Sequence, residues 1–498
     1  MNIIEWLADV EYSVVDTVNL TSIEINGLAL DSRAVKPGNV FIALSGSRQH
    51  GLVHVQQAIL KGAVAVIYEP KGLEAFVETP ALDVVCIAVQ GLAQQLGLLA
   101  ARFYRQPSKE LSVIGITGTN GKTSCSQFLG QLLDDCGVIG TLGWGVVGEL
   151  QQTVNTTPDA ISLQQVLAHF VTANKRYVAM EVSSHGLVQG RVEGIEFKGA
   201  VFTNISRDHL DYHQTMAAYI EAKLSLLTKP GLEFVVVNLD DAESAKVCEM
   251  IPKNAQLWGV SRYGKRVEQA ESVIATDVKA LAQGFAMTVV WRTQQEELVV
   301  PLYGDFNVDN ALLVLAVLLA LGVDLHDAAE RLTRLQPIAG RMEAYIFPNF
   351  PSVFIDYAHT PDALATVLSG VRQHCQQQLW VVFGCGGNRD KGKRPLMRRE
   401  AERWADRIII TDDNPRDENS ADIIQDILSD TSVDNIVVIP DRASAIRYAI
   451  NHAQINDSIV VAGKGHEDYQ EIKGIRYPFS DKKTVLAALN QQIIKGVC

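Results

Sequence analysis

The chain has 498 residues, of which 47% are hydrophobic and 20% are charged, and its formal net charge at pH 7 is −13. A chain of this length is expected to form about three domains at roughly 150 residues each. The acidic balance argues against a protein that coats nucleic acid or anionic lipid, but it does not exclude a local basic pocket for a small anion.

The seven cysteines are scattered and contain no C-x-x-C pair, which implies neither a zinc site nor a disulfide framework and favours a reducing compartment. The N-terminus "MNIIEWLADVEYSVVD" carries acidic residues where a signal peptide has basic ones. The most apolar run, "ALLVLAVLLALG" at 311–322, is too short to span a bilayer and suits a buried core helix. We therefore expect a cytoplasmic protein without membrane insertion and without a nucleic-acid partner.

The first predicted elements form a small α/β unit over residues 1–89. The apolar strands "VFIAL" (40–44) and "AVAVIYE" (63–69) flank the helical pattern "VHVQQAILKG". The following segment, "LAQQLGLLAARFYRQPS", predicts a helix that Pro107 stops.

A central domain is predicted over residues 90–337. The strand "LSVIGIT" leads through a glycine-rich turn into the helical pattern "SCSQFLGQLLDDCG" (124–137). Further strands are predicted at "YVAMEV" (177–182), "GAVFTNI" (199–205) and "EFVVVN" (233–238), with room for crossover helices between them. This alternation is typical of a mostly parallel sheet.

The last domain, predicted over 338–498, begins after Pro337 and Gly340 interrupt a helical pattern. Five strand–loop units follow, with the strands "SVFID", "LWVVFG", "RIIIT", "NIVVIP" and "SIVVAG". Their loops are rich in Asp, His, Asn, Arg and Lys. Because ligands of open α/β sheets bind beyond the carboxyl ends of the strands, these loops indicate one shared site. The predicted fold is α/β with three domains: the first unit, a central P-loop-like domain and a Rossmann-like C-terminal domain.

The stretch "GITGTNGKTS" (115–124) combines a strand end, a glycine-rich turn and a helix start, as phosphate-binding loops do. Lys122 supplies positive charge and the Thr123 hydroxyl suits Mg²⁺. The strict pattern G-x-x-x-x-G-K-[ST] is not met, because Ile116 stands where glycine is required. The alternative is an ordinary glycine-rich turn between a strand and a helix. The predicted nucleotide-binding residues here are Gly118, Thr119, Asn120, Gly121, Lys122, Thr123 and Ser124.

This loop is similar to the ATP loop of the Mur ligases and folylpolyglutamate synthetases, which join a carboxylate to the amine of an amino acid at the expense of ATP. Such chemistry brings two anions together, so metal ions and cationic groups must offset their repulsion. On the segments "MEVSSHGL" and "TNISRDHLDYH", the resemblance implies that Glu181 and His209 bind Mg²⁺. Taken alone, either residue is more often a structural or solvated residue than a metal ligand.

The segment "AYIEAKLSLL" (218–227) resembles the one whose lysine is carbamylated in this family, which identifies Lys223. A free lysine, with a pKa of about 10.4, is a cation and a poor partner for Mg²⁺. Its carbamate is an anion that can bind a second Mg²⁺. The alternative is an ordinary surface lysine on an amphipathic helix.

Three later segments also resemble the family. "GDFNVDNALL" implies that Asn307 and Asn310 contact the nucleotide. "GRMEAY" and "DYAHTPDAL" imply that Arg341, Asp356 and His359 are brought to ATP when the last domain closes.

Three segments, one N-terminal and two central, resemble the branch of the family that adds the third peptide residue in peptidoglycan synthesis. "LDSRAVKPGNVFIALSGSRQHG" (30–51) is similar to its uridine-diphosphate module, and this implies contacts by Leu30, Ser32, Ser47, Arg48 and Gln49. "NTTPD" and "SSHGLVQGRV" are similar to its muramoyl-peptide site, and this implies contacts by Asn155, Thr156, Thr157, Ser183, Gln189 and Arg191.

The stretch "TDDNPRDENS" (411–420) contains the motif D-N-P-R. In members that use meso-diaminopimelate, this arginine binds the far carboxylate of the amino acid, and members that use L-lysine usually lack it. The alternative for this stretch is an Asx-turn with a solvent-facing arginine that caps the next helix. The implied amino-acid site comprises Arg389, Asp413, Asn414, Pro415, Arg416, Gly463 and Glu467.

Together these matches imply a monomeric ligase that uses ATP and Mg²⁺, with Lys122, Glu181, His209 and Lys223 as its catalytic groups. It would add meso-diaminopimelate to the D-glutamyl γ-carboxylate of UDP-N-acetylmuramoyl-L-alanyl-D-glutamate through an acyl phosphate. Three alternatives stay open: the same ligase with L-lysine, a folate polyglutamylating ligase, and a nucleotide-sensing binding protein without ligase activity.

Overall fold

A computed structural model of the chain describes residues 1–14, 20–46, 49–71, 84–429 and 435–496. The chain divides into two compact units, one formed by Met1–Gly259 with Glu268–Ala270, the other by Val260–Val267 with Glu271–Cys498. The six cysteines in these described ranges are free thiols. Over the same ranges, none of the helices combines the length and the apolar character needed to cross a membrane.

The first unit begins with a five-stranded sheet in the order β1-β5-β4-β3-β2. Strands β2 to β5 are parallel and β1 is antiparallel to β5. The predicted strands near residues 40 and 65 are therefore confirmed. The elements are β1 (Tyr12–Val14), β2 (Gly27–Ala29), β3 (Asn39–Ala43), β4 (Ala65–Tyr68) and β5 (Val85–Val89), with helices α1 (Ile3–Trp6), α2 (Val55–Leu60) and α3 (Leu92–Phe103).

Helix α3 ends before the proline that was expected to stop it. Arg105 and Gln106 adopt φ values of 61° and 54°, in the left-handed region that helices exclude. They lead into a short 3₁₀ turn at Pro107–Lys109. The helix therefore ends at Phe103.

The central sheet of the first unit is mostly parallel, with β12, β11, β6, β10 and β7 as successive neighbours. Strands β8 and β9 add antiparallel hairpins beside β7. Its strands are β6 (Ser112–Thr117), β7 (Cys136–Gly140), β8 (Gly143–Val146), β9 (Glu149–Gln151), β10 (Tyr177–Glu181), β11 (Gly199–Phe202) and β12 (Phe234–Asn238), and β13 (Gln256–Ser261) follows. Its helices are α4 (Lys122–Leu132), α5 (Ala160–Thr172), α6 (Ser184–Val188), α7 (Leu210–His213), α8 (Met216–Leu224) and α9 (Ser244–Glu249).

The helical segment predicted over 124–137 is too long. Helix α4 ends at Leu132, Asp135 has a φ of 54°, and Cys136 already begins the buried strand β7. The apolar pattern continues through this change because both the helix and the strand are buried.

The second unit contains an antiparallel ribbon of β14 (Glu271–Leu281), β15 (Gly284–Trp291) and β16 (Gln294–Val300), followed by α10 (Phe306–Ala320) and α11 (Leu325–Leu332). Helix α10 holds the most apolar run of the chain. Its residues from Ala311 to Leu319 are all buried. The expected core helix is therefore confirmed.

The C-terminal sheet has six strands in the order β17-β18-β22-β19-β20-β21. The five predicted strands are parallel, and β17 is antiparallel to β18. The strands are β17 (Glu343–Tyr345), β18 (Ser352–Asp356), β19 (Leu379–Phe383), β20 (Arg407–Ile410), β21 (Ile436–Val438) and β22 (Ser458–Ala462), and a separate hairpin is formed by β23 (Tyr469–Ile472) and β24 (Ile475–Pro478). The helices are α12 (Pro361–Arg372), α13 (Lys393–Trp404), α14 (Ser420–Leu428), α15 (Arg442–His452) and α16 (Asp481–Gly496). The polar strand-end loops therefore meet at one edge of a Rossmann-like sheet, as predicted.

Candidate active site

The glycine-rich loop connects β6 to the N-terminus of α4. Gly118 has a φ of 147°, and a Cβ there would overlap the hydroxyl of Thr203. Asn204 fastens the loop, because its carbonyl accepts from Thr119 N at 2.7 Å and its side-chain oxygen accepts from Asn120 N at 3.0 Å. The loop is thus anchored to the residues that follow β11, and α4 begins directly after it.

Lys122 is the first residue of α4 and folds back over the loop. Its Nζ donates to the carbonyl oxygens of Gly118 and Thr119, at 2.8 and 2.9 Å. Thr123 and Ser124 follow and are buried. The predicted phosphate-binding residues therefore lie together at one helix N-terminus, which favours anions.

Glu181 is the last residue of β10 and its side chain is fully buried. Its carboxylate accepts from the hydroxyls of Thr123 and Thr141, at 2.9 and 3.0 Å, and from Thr141 N at 2.8 Å. A buried carboxylate needs such donors, since it has lost water. No motif in the sequence marks Thr141.

His209 precedes α7 with a φ of 52°, and its side chain is about half exposed. Its ring lies 4.8 Å from that of His185 and 6.2 Å from that of Tyr219, and Asp208 is 3.5 Å from its Nε2. No cluster of three or more His, Cys, Asp or Glu side chains that could hold a metal occurs in the described ranges. The Thr123 hydroxyl and the Glu181 carboxylate are nevertheless the oxygen donors that Mg²⁺ prefers when phosphate and water complete its shell.

Lys223, on α8, is not a surface lysine, so that alternative is wrong. Its side chain is 1% exposed, and Nζ donates to the carbonyl oxygen of Gly118 at 2.7 Å. Burial, and secondly the charge of Lys122, hold the pKa of Lys223 well below its ordinary value. The Nζ lies 4.5 Å from the ring centroid of Tyr219, whose hydroxyl is 3.0 Å from Thr119 Oγ1. Tyr219 therefore contacts both the loop and the lysine, although no motif indicated it.

The predicted muramoyl-peptide residues adjoin Glu181. Thr157 Oγ1 donates to Glu181 O at 2.9 Å and accepts from Ser183 N at 2.9 Å. Arg191 donates to Thr157 O at 2.6 Å and to Gln189 Oε1 at 2.6 Å, and burial lowers the pKa of Arg191. Of the two remaining residues, Thr156 lies 3.0 Å from Thr141, hydroxyl to hydroxyl, and Asn155 is exposed.

Three of the predicted uridine-nucleotide residues, Leu30, Ser32 and Gln49, lie in the segments that flank strands β2 and β3. Ser32 is buried and donates to Gln57 Oε1 at 2.7 Å, and Leu30 is partly buried. Gln49 Nε2 lies 2.8 Å from His54 Nε2. Ser47 and Arg48 lie outside the described residues.

In the second unit, the two predicted asparagines are paired at the start of α10. Asn310 Nδ2 donates to Asn307 Oδ1 at 2.9 Å, and Asn307 Nδ2 donates to Tyr303 O at 2.8 Å. Both are buried. Their amides are therefore fixed on the first two turns of one helix.

Arg341, Asp356 and His359 lie around the end of β18. Asp356 accepts from Met342 N and Ala358 N, both at 2.8 Å, and burial raises its pKa although Arg341 acts in the opposite direction. The Arg341 guanidinium lies 5.0 Å from the Tyr357 ring, and its buried Nε lacks a hydrogen-bond partner within the described ranges. His359 is exposed, and its Nδ1 lies 2.8 Å from the carbonyl oxygen of Tyr357.

Asp413, Asn414 and Glu467 converge on Lys464, which was not among the residues predicted from the sequence. The fully buried Nζ of Lys464 lies 3.4, 2.9 and 3.1 Å from the oxygens of these three residues in turn. Asn414 Nδ2 also donates to Glu467 Oε2 at 3.0 Å. Gly463 precedes the lysine at the end of β22 with a φ of 115°. The only sequence signal that could have indicated this lysine is the stretch "GKGHE" that contains it.

Arg416 faces inward, so the solvent-facing alternative is wrong. Its side chain is 21% exposed, and Nη1 donates to the carbonyl oxygen of Gly387 at 2.8 Å. A Cβ at Gly386 would lie 2.8 Å from that Nη1 and 3.7 Å from Arg389 Cγ, so both arginines border the same backbone. Pro415, which lies between Asn414 and Arg416 in the sequence, is buried. Asn419, not Arg416, caps α14.

The parallel sheets and the glycine-rich loop at a helix N-terminus define a nucleotide-binding α/β protein. Three family descriptions match the chain: Mur ligase family, catalytic domain, over residues 24–104; Mur ligase middle domain over 116–318; and Mur ligase, glutamate ligase domain, over 340–465. The chain belongs to the Mur ligase family.

Two relatives illustrate the similarity. The UDP-N-acetylmuramoyl-L-alanyl-D-glutamate–2,6-diaminopimelate ligase of Coxiella burnetii is 45% identical over 93% of this chain and 96% of the relative. The ligase of the same name from Pseudomonas aeruginosa is 46% identical over 93% and 95%. A solved structure of a ligase with this name superposes with a TM-score of 0.69 and 35% identity, covering 96% of this chain and 97% of the other.

Proposed function

We propose that the protein is an ATP-dependent ligase that adds meso-2,6-diaminopimelate to the D-glutamyl γ-carboxylate of UDP-N-acetylmuramoyl-L-alanyl-D-glutamate. The observation that carries the proposal is the inward-facing Arg416 beside Arg389, which can pair with the carboxylates of a diacid. The names of relatives that are 45% and 46% identical agree with this substrate. We further propose that the protein acts as a cytoplasmic monomer with domains over 1–89, 90–337 and 338–498.

The activation of the carboxylate is assigned to the first unit. Backbone N–H groups of the loop and the ammonium of Lys122 would stabilise charge on the phosphoryl oxygens of ATP. Thr123, Glu181, His209 and a carbamate on Lys223 would hold Mg²⁺. When bound, this metal would offset the repulsion between the phosphate and the substrate carboxylate.

Carbamylation of Lys223 is supported by its surroundings. Carbon dioxide reacts with the neutral amine, and burial beside Lys122 favours that neutral form. The reaction joins the Nζ to the CO₂ carbon with loss of one proton and yields an anion. The positive charges of Lys122 and of a bound metal would then compensate the negative charge of this buried carbamate.

The amino acid is assigned to the C-terminal sheet edge of the second unit. Arg416 and Arg389 would bind carboxylates, while Glu467 and Asp413 would bind an ammonium group. L-Lysine lacks the distal carboxylate and would leave the guanidinium without its partner. Such a loss can cost several kcal/mol, which disfavours the L-lysine alternative.

The remaining predicted residues complete the substrate sites. Leu30, Ser32, Ser47, Arg48 and Gln49 would bind the uridine nucleotide. Asn155, Thr156, Thr157, Ser183, Gln189 and Arg191 would bind the muramoyl dipeptide. Asn307, Asn310, Arg341, Asp356 and His359 would contact ATP.

The test is ADP release by purified protein with ATP, Mg²⁺ and the uridine-linked muramoyl dipeptide, comparing meso-diaminopimelate with L-lysine. We expect release with the diacid, and in Arg416→Ala a KM for the diacid raised by about tenfold to a hundredfold. Arg407→Ala, which removes an exposed arginine at the opposite end of β20, is the matched control.

Each outcome decides between the alternatives. Release with L-lysine that equals or exceeds that with the diacid would keep the ligase and overturn the role of Arg416. Release that requires dihydrofolate or another folate would indicate the folate ligase. ATP binding without release in any mixture would favour the sensor.

A further inference from the structure

The hairpin β23–β24 lies against the D-N-P-R turn. Arg416 N donates to Glu471 O at 3.0 Å, and Lys473 N donates to Arg416 O at 2.7 Å. Glu471 N donates to Asn414 Oδ1 at 2.9 Å, and Gln470 Nε2 donates to Asp413 O at 2.7 Å. The backbone of the turn is therefore fixed by bonds that do not involve the side chain of Glu471.

The side chain of Glu471 adds a charge to this contact. Its Oε2 lies 3.4 Å from Arg416 Nε, and both side chains are about one-fifth to one-quarter exposed. Arg476 stands opposite Glu471 in the hairpin, but its guanidinium lies over the Tyr469 ring, 4.3 Å from the centroid. Within the described ranges, the ion pair of Glu471 is with Arg416.

The guanidinium of Arg416 is thus only partly engaged. Gly387 O occupies Nη1 and Glu471 approaches Nε, whereas Nη2 has no hydrogen bond to the described residues. A substrate carboxylate bound at the Nη edge would bring a second anion close to Glu471. Two negative charges that lie close together in a partly exposed site repel each other measurably.

We propose that Glu471 is a specificity-determining residue, whose carboxylate pairs with Arg416 and weakens its binding of the distal carboxylate of the diacid. This inference rests on the proposed function. The same negative charge lowers the preference for the diacid over L-lysine, because it repels a distal carboxylate and not a distal CH₂ group. Glu471 therefore sets the affinity of Arg416 for the distal carboxylate, which the D-N-P-R motif alone would not reveal.

The test is Glu471→Gln, which removes the charge and keeps the shape and the backbone bonds. We expect the KM for meso-diaminopimelate to fall by about threefold to tenfold, with kcat and the KM for ATP unchanged. Calorimetric titration of the protein with the diacid should show the same change in Kd. Asp417→Asn removes a neighbouring exposed charge that makes no ion pair in the described structure, and it should leave the KM unchanged.

The outcomes separate the two proposals. If the wild-type protein releases no ADP with the diacid, the proposed function fails. If the wild type is active and Glu471→Gln has an unchanged or higher KM for the diacid, Glu471 does not oppose the substrate and the inference is wrong. An equal fall in the KM for L-lysine would also overturn it, because the effect would then not depend on the distal carboxylate.

Discussion

Lys223 Nζ donates a hydrogen bond to the carbonyl oxygen of Gly118, 2.7 Å away, although the two residues are 105 positions apart. The bond joins helix α8 to the glycine-rich loop. Lys122 Nζ donates to the same carbonyl oxygen, so two lysines share one acceptor. We have proposed that Lys122 binds phosphate and that the buried Lys223 is carbamylated.

Replacement of Lys122 by Ala should lower ADP release by about a hundredfold to a thousandfold, because a positioned charge on the phosphoryl oxygens is lost. The fold should persist, since Gly121, the backbone of α4 and the hydrogen bonds from the loop amides to Asn204 are unchanged. Steady-state ADP release and thermal unfolding measure the two effects. Wild-type rates in this variant would refute the assignment of the ATP site.

Replacement of Lys223 by Ala should abolish activity, and a small carboxylate such as acetate or formate should restore part of it by supplying the missing anion. With ¹³C-labelled bicarbonate, the wild type should show a carbamate signal in the ¹³C NMR spectrum that the variant lacks. Lys246→Ala, on the exposed face of α9, is the control and should retain the signal. A fully active Lys223 variant that does not depend on CO₂ would remove the carbamate from the mechanism.

The sequence predicted the sheets better than the contacts of single side chains. Short apolar runs followed by polar loops identify parallel strands, and this local pattern located all five strands of the last domain. Whether Lys223 is buried depends on Gly118 and Tyr219, which only the folded chain brings to it. Without the family resemblance, its amphipathic segment favours a surface lysine.

Lys464 in the candidate site is a second residue whose contacts could not be predicted from the sequence. Its partners Asp413 and Asn414 come from a loop about fifty positions earlier, and no spacing rule connects the two loops. The end of α4 was missed for a different reason. Periodicity cannot separate a buried helix from the buried strand β7 that follows it within four residues.

Glu418 should make stability depend on pH in acid. Hydrogen bonds from Arg394, and secondly from Asn388 N, lower the pKa of Glu418 to about 2. A carboxylate with a depressed pKa stabilises the fold fully above its unfolded value near 4.5, and this contribution is lost as the pH falls toward 2. The difference in unfolding free energy between wild type and Glu418→Gln should therefore be largest above pH 5 and shrink toward pH 2.

Denaturant unfolding at pH 7, 5, 4 and 3 measures this difference. Asp422→Asn, an exposed carboxylate on α14, is the control and should show no such trend. A difference that stays constant across the range would mean that Glu418 is not ionised against Arg394 in the folded protein.

Lys464→Met should destabilise the protein, because it leaves the carboxylates of Asp413 and Glu467 together without their shared cation. Removal of one partner of a buried ion pair typically costs about 3–5 kcal/mol. Lys473→Met, in the exposed turn of the β23–β24 hairpin, is the control and should change the unfolding free energy little. Adding Glu467→Gln to Lys464→Met should recover part of the loss, since one of the two unpaired charges disappears. Two results would show that the lysine does not hold this cluster together. One is a Lys464→Met variant as stable as the wild type. The other is a double variant whose loss of unfolding free energy exceeds the sum of the losses in the two single variants.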